Sequence, residues 1–300
     1  TVTWVKQVLD PIVNSLVRQW LEIPISGTLD ILSLTKSQFG IGLVKVSTRY
    51  LQCQVTFRNR LRNSKNSDVQ RIHAETSNGP NLHVDTFSSS SDIVKKVRNK
   101  HVEKVTTLST QSLIVKAIWS NTLKSTTSVW QKVLERLPRN IYSFTLRYLN
   151  NTLANGTNLL KWGRVESGLC PACKNPQTLG HVVGGCQVHL NEKRYNYRHD
   201  SIVLNILKSL SSCKELAVYG DLPGYKNPST ITGDDYRPDI LFVKENKLFL
   251  IELSVGFEPN IPKNTENKEK RYRPLVTSLK SKYDHIEYVN LSMGAIGTFG

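Results

Sequence analysis

Two pairs of carboxylates compete for a chemical role in the stretch GDDYRPDILFVKENKLFLIELSVGFE, residues 233–258. Asp234 and Asp235 follow a glycine, as do the paired aspartates that hold magnesium at the turn of a nucleic-acid polymerase. Asp239 follows Pro238, and Glu252 stands thirteen positions later between Ile251 and Leu253. A polymerase turn needs an apolar strand on each side. Here NPSTIT precedes and YRPD follows, and no second polymerase aspartate motif lies upstream, so Asp234 and Asp235 read as turn residues. The second pair suits phosphodiester cleavage, in which carboxylates converge on one or two Mg2+ ions that polarise phosphate and activate water. PDILFVKE and KLFLIELSV read as two strands of a hairpin turning at Glu245-Asn246-Lys247. Across so short a turn Asp239 and Glu252 can stand side by side. An ionised glutamate inside an apolar strand is costly unless it is paired or metal-bound. The bland alternative is a solvent-facing glutamate on an edge strand.

Such chemistry also needs a cation near the developing charge. An acid-x-Lys arrangement would place lysine at 254, where Ser254 stands. Basic residues return in NTENKEKRYRPL as Lys268, Lys270, Arg271 and Arg273 around Tyr272. One face of a helix there could carry Lys268 with Arg271 or Tyr272 toward the hairpin.

A separate constellation lies upstream. CPACKNPQTLGHVVGGC sets Cys170 and Cys173 two residues apart, then His181 and Cys186. Two thiolates from one turn, completed by a histidine and a third cysteine, suit tetrahedral zinc, and four protein ligands make that zinc structural. His189 and His199 are possible substitutes for His181 but sit outside the compact loop. Knuckles of this kind hold single-stranded nucleic acid or brace a neighbouring domain, and spacing leaves both open.

These sites sit in a chain of 300 residues with 40 Lys+Arg against 24 Asp+Glu, a net charge of +16. That excess points to a polyanion partner, with nucleic acid favoured over membrane. No apolar run approaches the roughly 18–20 residues that span a bilayer. The charge is concentrated: residues 111–165 hold eight basic residues, among them Lys132, Arg136, Arg139, Arg147, Lys161 and Arg164, against the single acid Glu135. Those six are the expected contacts to nucleic acid. Five cysteines, three of them clustered, fit a reducing compartment and one metal site better than disulfides. The chain opens on Thr1, and its only methionine is Met293, so it is expected to be processed or cut from something longer.

Apolar spacing predicts helices over residues 1–22, 43–62, 92–106 (capped by Ser91-Asp92), 109–120, 126–136, 140–153, 191–211 and 263–282. Residues 63–92, rich in Ser and Asn, read as a linker. After 211 the pattern changes to short strands, the last being HIEYVNLSM. Segments 1–62, 63–92, 93–165, 166–200 and 201–300 are the expected divisions.

Taken in order, the knuckle, the following RYNYRHDSI and Pro-Asp…Glu with a displaced lysine resemble the C-terminal region of non-LTR retrotransposon Pol proteins, including the R-two-like clade that inserts into ribosomal RNA genes. The match covers about residues 165–275. More loosely, LVRQWLEIP with FGIGL is similar to a reverse-transcriptase thumb, and LERLPRNIYSFTLRYLNNTLANGTNLLKWG to the basic linker before the knuckle. The resemblance implies a multi-part α/β fold: a helical thumb and linker, a small zinc knuckle, and a restriction-endonuclease-like domain with a mixed sheet. It implies target-primed reverse transcription, in which one strand of chromosomal double-stranded DNA is nicked and its 3′ hydroxyl primes copying of the element RNA. That work is nuclear, after cytoplasmic synthesis. Carried over, Asp239 and Glu252 bind Mg2+ or Mn2+, Lys268 is the displaced catalytic lysine, and Arg271 and Tyr272 match the basic residue and tyrosine after it, with Tyr272 expected among the catalytic residues and Arg271 to contact nucleic acid. Arg237 matches the basic residue ahead of Pro-Asp and is expected to touch phosphate. The polymerase aspartates would lie before Thr1. The sequence departs from relatives at Ser254 and Gly256, where Thr and Pro are frequent. Two other readings stay open: a non-catalytic RNA- or DNA-binding module with a degenerate nuclease, and a resolvase-type junction nuclease built on the same core.

Overall fold

The computed structural model describes residues 1–76, 89–121 and 124–299, and the chain divides into two compact units. The first comprises Thr1–Lys116 and Thr127–Thr152, the second Ala117–Thr126 and Leu153–Gly300. Residues 166–200 and 201–300, expected as separate divisions, fall in the same unit. Among the described residues no helix is long and apolar enough to cross a membrane.

The first unit is helical. Its longer helices include Asp10–Leu21 (α1), Val46–Arg62 (α2), Ser90–Thr107 (α3) and Arg139–Leu149 (α4), α3 packs on the single helical turn Asp30–Ser33, and Ile31, Leu32, Leu34 and Phe39 are nearly inaccessible to solvent. Two buried aspartates hold it together. Asp10 accepts bonds from the Ser47 amide and hydroxyl at the start of α2. Asp30 accepts from Thr28, His101 and Lys104. Burial pushes the Asp30 carboxyl up, but those donors outweigh it and hold it well below the ordinary carboxylate range.

Two expectations change here. The segment 63–92 is not all linker: Ser67–Thr76 is helical, because the Asn66 side chain accepts from the amides of Asp68 and Val69 and so caps a first turn. Residues 77–88 lie outside the described part. The cap of α3 is Ser89 rather than Ser91, with Asp92 returning the bond to the Ser89 amide in a reciprocal capping box.

The second unit is a small mixed α/β layer structure. Its sheet runs in the order Ala217–Gly220 (β1), Ile240–Lys244 (β2), Lys247–Gly256 (β3) and His285–Gly294 (β4). The first three pair antiparallel and β4 pairs parallel with β3. The sequence pattern misses β1, which has only four residues, and overstates the turn, since Lys247 already pairs with Lys244. The helix expected over 191–211 is two pieces, Gln187–Asn191 and Asn196–Ser211 (α5), separated by a turn in which Lys193 is left-handed.

Strand alternation sends β-strand side chains to two faces. Leu241, Leu248 and Leu250 pack on Tyr272, Leu275 and Leu279 of Ile261–Leu279 (α6). Ile240 and Leu253 pack on Val203 and Leu207 of α5. The approach of α5 requires a glycine at 220, where a Cβ would come 2.4 Å from Leu207 Cδ1. Leu207 is fully buried and has nowhere to move. Gly220→Ala is therefore expected to cost about 1–3 kcal/mol by overpacking, read in thermal unfolding as a fall in Tm of the order of several degrees. An unchanged or raised Tm would show that the helix does not press on β1.

Candidate functional site

The hairpin register fixes the neighbours of the two carboxylates. Ile240 faces Ile251, so Asp239 and Glu252 stand opposite one another one step before β2 begins. The Asp239 amide donates to Glu252 Oε2 at 3.3 Å, and the Leu253 amide donates to Asp239 Oδ2 at 2.7 Å. On the other side the Asp221 amide donates to the Asp239 carbonyl at 3.0 Å, so β1 holds the same corner. Glu252 is 3 % exposed and lies on a strand with neighbours on both sides. A solvent-facing glutamate on an edge strand is thereby excluded. Asp234 and Asp235 lie in an exposed turn.

Each carboxylate has a cationic partner, and the two partners come from opposite layers. Lys268 of α6 pairs with Glu252 Oε1. His199 of α5 places Nε2 3.2 Å from Asp239 Oδ2, while its Nδ1 is 2.9 Å from Asp200 Oδ1. With a carboxylate at each ring nitrogen, both nitrogens donate and the imidazole is held as the cation. Its pKa is raised to about 9 by the bond to Asp239, with burial opposing and Asp200 assisting. Burial, then the charge of Asp239, pushes the Glu252 carboxyl up, and Lys268 pulls it down.

His199, by spacing a possible substitute for His181 outside the compact loop, is not among the converging Cys/His ligands and lies at this corner instead. A signal for it was present, because His199, Val203 and Leu207 follow at four-residue intervals on the stripe of α5 that faces the sheet. The same pattern marks Lys268, which precedes Tyr272, Leu275 and Leu279 on α6. Tyr272 is 1 % exposed, and its hydroxyl donates to the Arg237 carbonyl at 3.1 Å. Burial and the Glu252 charge raise its pKa, so it stays a donor beneath the site and supports the chain entering Pro238-Asp239. Lys270 pairs with Glu266 at 2.5 Å on the exposed face, and Arg271 lies over the Tyr272 ring at 5.7 Å. Arg237 is half-exposed and pairs with Asp221.

The cysteine loop converges as its spacing requires. The ligand atoms of Cys170, Cys173, His181 and Cys186 all lie within 4.8 Å of one another, and among the described residues no other group of three or more His, Cys, Asp or Glu does so. The Cys170 and Cys186 sulfurs are 4.0 Å apart, and Cys173 Sγ is 3.3 Å from His181 Nε2. A tetrahedron with ordinary zinc bond lengths has edges of roughly 3.5–3.8 Å. The Cys173 backbone amide, then His181, draws the Cys170 thiol down to about 6, toward the thiolate that a metal needs. The four residues could hold a zinc ion and leave no position open for chemistry.

The knuckle is built onto the strand-rich part. Tyr195 donates to the Val182 carbonyl at 3.2 Å, and Arg198 donates to the carbonyls of Val183 at 3.0 Å and Val255 at 3.1 Å. Gly180 lies against the Phe257 ring, where a Cβ would meet Cδ1 at 2.8 Å.

The expected nucleic-acid contacts do not form one set. Lys132, Arg136 and Arg139 are exposed in the first unit, where Arg147 pairs with Glu22 at 3.1 Å. Lys161 and Arg164 are exposed in the second.

No protein-family model matches the chain. No curated protein matches it either.

The His199–Asp239 pair carries a signed pH dependence. A histidine whose folded pKa lies above the unfolded value of about 6.5 contributes its full stabilisation below that value. The contribution fades as pH rises through about 9. With zinc present and magnesium omitted, the parent is expected to lose more stability to urea between neutral pH and pH above about 9 than His199→Gln does. Parallel pH profiles would show that the imidazole gains no proton affinity on folding.

Proposed function

We propose that this chain is the endonuclease-bearing part of a non-LTR retrotransposon Pol protein, and that it nicks target DNA by metal-dependent hydrolysis. The observation that carries the reading is the pairing of Asp239 with Glu252 at the edge of a β-hairpin, with Lys268 reaching Glu252 from the covering helix. The order of zinc loop, α5, hairpin and basic helix along one unit supports it, as does the net charge of +16.

Asp239 and Glu252 are the residues that would hold Mg2+ or Mn2+. Two adjacent carboxylates, one of them pushed toward protonation by burial and by the other, form a donor set that a divalent cation relieves. When bound, the metal supplies Lewis-acid polarisation of the phosphate and an activated water. Hydrolysis adds water across the P–O3′ bond, so the hydroxyl goes to phosphorus and the proton to the 3′ oxygen. The nick then carries the 3′ hydroxyl that can prime copying. Lys268 opposes the upward push on Glu252 and offers positive charge beside the phosphate as charge develops. Arg237 and Arg271 are exposed or half-exposed near the same corner and would meet neighbouring phosphates. Tyr272, though buried, keeps the Arg237 backbone in place.

The basic residues of both units would supply sequence-independent attraction for DNA and element RNA, falling steeply with salt as counterions are released. The zinc is structural in this reading.

The test is nicking of supercoiled plasmid by the zinc-loaded chain in Mg2+ or Mn2+. Asp239→Ala and Glu252→Ala are expected to fall to background. Lys268→Ala should lose about 10²–10³-fold, the scale on which one pre-placed charge acts. DNA affinity in a salt titration should change little in all three. Equal nicking by parent and both carboxylate variants would rule out this pair as the catalytic centre. Binding of DNA and RNA without nicking, in either metal, would favour the binding-module reading, and preferential cutting of four-way junctions over linear duplex would favour a resolvase.

A further inference from the structure

The catalytic reading uses Asp239, Glu252 and Lys268 and leaves His199 unexplained. Its imidazole lies between two carboxylates, one belonging to the proposed metal pair. Partly burying the imidazole against Asp239 needs a reason. The packing around α5 gives one. The later turns of the helix are fixed to the sheet by Val203 and Leu207 against Ile240 and Leu253. The first turn has no such apolar anchor, since Asn196 and Tyr197 are exposed. It is held instead by Arg198, whose guanidinium donates at once to Val183 in the zinc loop and to Val255 near the end of β3. Tyr195, one turn earlier, donates to the zinc loop as well.

We propose that His199 is the positioning residue that fixes the Asp239 carboxylate, and that Arg198 seats it by tying the first turn of α5 to the zinc loop and to the end of β3. The inference rests on the nuclease reading of Asp239 and Glu252 and adds a residue that the reaction needs without its touching substrate. A carboxylate one step outside a strand is free to turn about two side-chain bonds. Asp239 is held by two bonds, one from the Leu253 amide and one from His199. Removing the histidine leaves one, and Asp239 then samples orientations in which it no longer meets the ion beside Glu252. Partners of ligating groups of this kind change activity or metal affinity by about 10–100-fold when removed. The zinc loop is thereby a brace for the carboxylates through Arg198, so losing its zinc should act on Asp239 from outside the site.

The Leu253 amide reports on this without any reaction. Its donation to Asp239 Oδ2 protects it from exchange, and that protection depends on the carboxylate staying in place. The experiment takes the zinc-loaded 300-residue chain, His199→Ala, His199→Gln and Arg198→Lys. Zinc content is measured for each, then plasmid nicking against Mg2+ concentration, then hydrogen exchange at Leu253 by amide NMR. With zinc retained, His199→Ala is expected to lose about 10–100-fold in kcat at unchanged KM for DNA. It should also need more Mg2+ and exchange faster at Leu253. His199→Gln, which keeps one donor toward Asp239, should recover part of each. Arg198→Lys, whose ammonium ends one bond short of Nη2, the atom that makes both donations, should move in the same direction as His199→Ala. Removing zinc from the parent with a chelator should speed Leu253 exchange as well. Unchanged Leu253 exchange in His199→Ala, or full nicking at the parental Mg2+ dependence, overturns the proposal. If the parent nicks nothing while Leu253 exchange still rises in His199→Ala, the nuclease reading fails, and His199 is a structural tie with no reaction to serve.

Discussion

Two carboxylates set side by side in a largely dry corner of a sheet are the constraint on which the second unit is organised. Asp239 and Glu252 repel one another, and Glu252 has lost nearly all its contact with water. Burying one such charge without an answer costs several times the value of an ordinary hydrogen bond. The fold supplies one cation per carboxylate, and it takes them from different layers: Lys268 from above the sheet and His199 from below. Neither covering helix can shift without exposing a charge to the wrong partner.

The same device appears on both helices. An apolar stripe fixes each one to the sheet, through Val203 and Leu207 on α5 and through Tyr272, Leu275 and Leu279 on α6. One turn before the stripe starts, the same face carries a basic residue instead of an apolar one. The hydrophobic contact sets the height and angle of the helix, and the basic residue inherits that placement at the strand ends. Packing energy is thus converted into electrostatic positioning, which is how a small site holds charged groups steady. Gly220 belongs to the same arrangement, because its missing side chain lets Leu207 come close enough for His199 to reach Asp239.

Much of this corner is legible in the sequence. Two apolar runs, ILFV and LFLI, joined by a short turn were enough to put Asp239 beside Glu252, because turn length fixes hairpin register. The Cys/His loop was legible because three cysteines and a histidine at tight spacing have few other uses. What escaped was set by contacts distant in sequence. β1 is too short to carry a periodic signal, and it forms because Asp221 and its neighbours can extend a sheet that β2 and β3 begin. Tyr272 stands among basic residues in the sequence, yet its stripe buries it, with its hydroxyl donating to the Arg237 carbonyl and lying beside Glu252. His199 follows the cysteine cluster in sequence, where it is at most a possible substitute for His181. Helical spacing from Val203 back to His199 pointed to the sheet, a clue that proximity in sequence hid. The helix at Ser67–Thr76 was missed because its cap is an asparagine in a polar run that composition alone reads as loop.

On the proposed reading, the charge distribution explains why a nuclease can afford two acids where a polyanion must arrive. Residues 201–300 are nearly neutral in sum, while most of the excess positive charge of the chain lies elsewhere. Capture of the backbone can then be left to exposed arginines and lysines outside the corner, whose field acts over about 8–10 Å at physiological salt. The corner itself carries no excess of positive charge, with Asp239, Glu252 and Asp200 against His199 and Lys268. A phosphate entering such a site gains little by itself. It gains when a divalent cation adds the missing positive charge, so the requirement for metal would follow from the pairing of the side chains as much as from the chemistry of the attack.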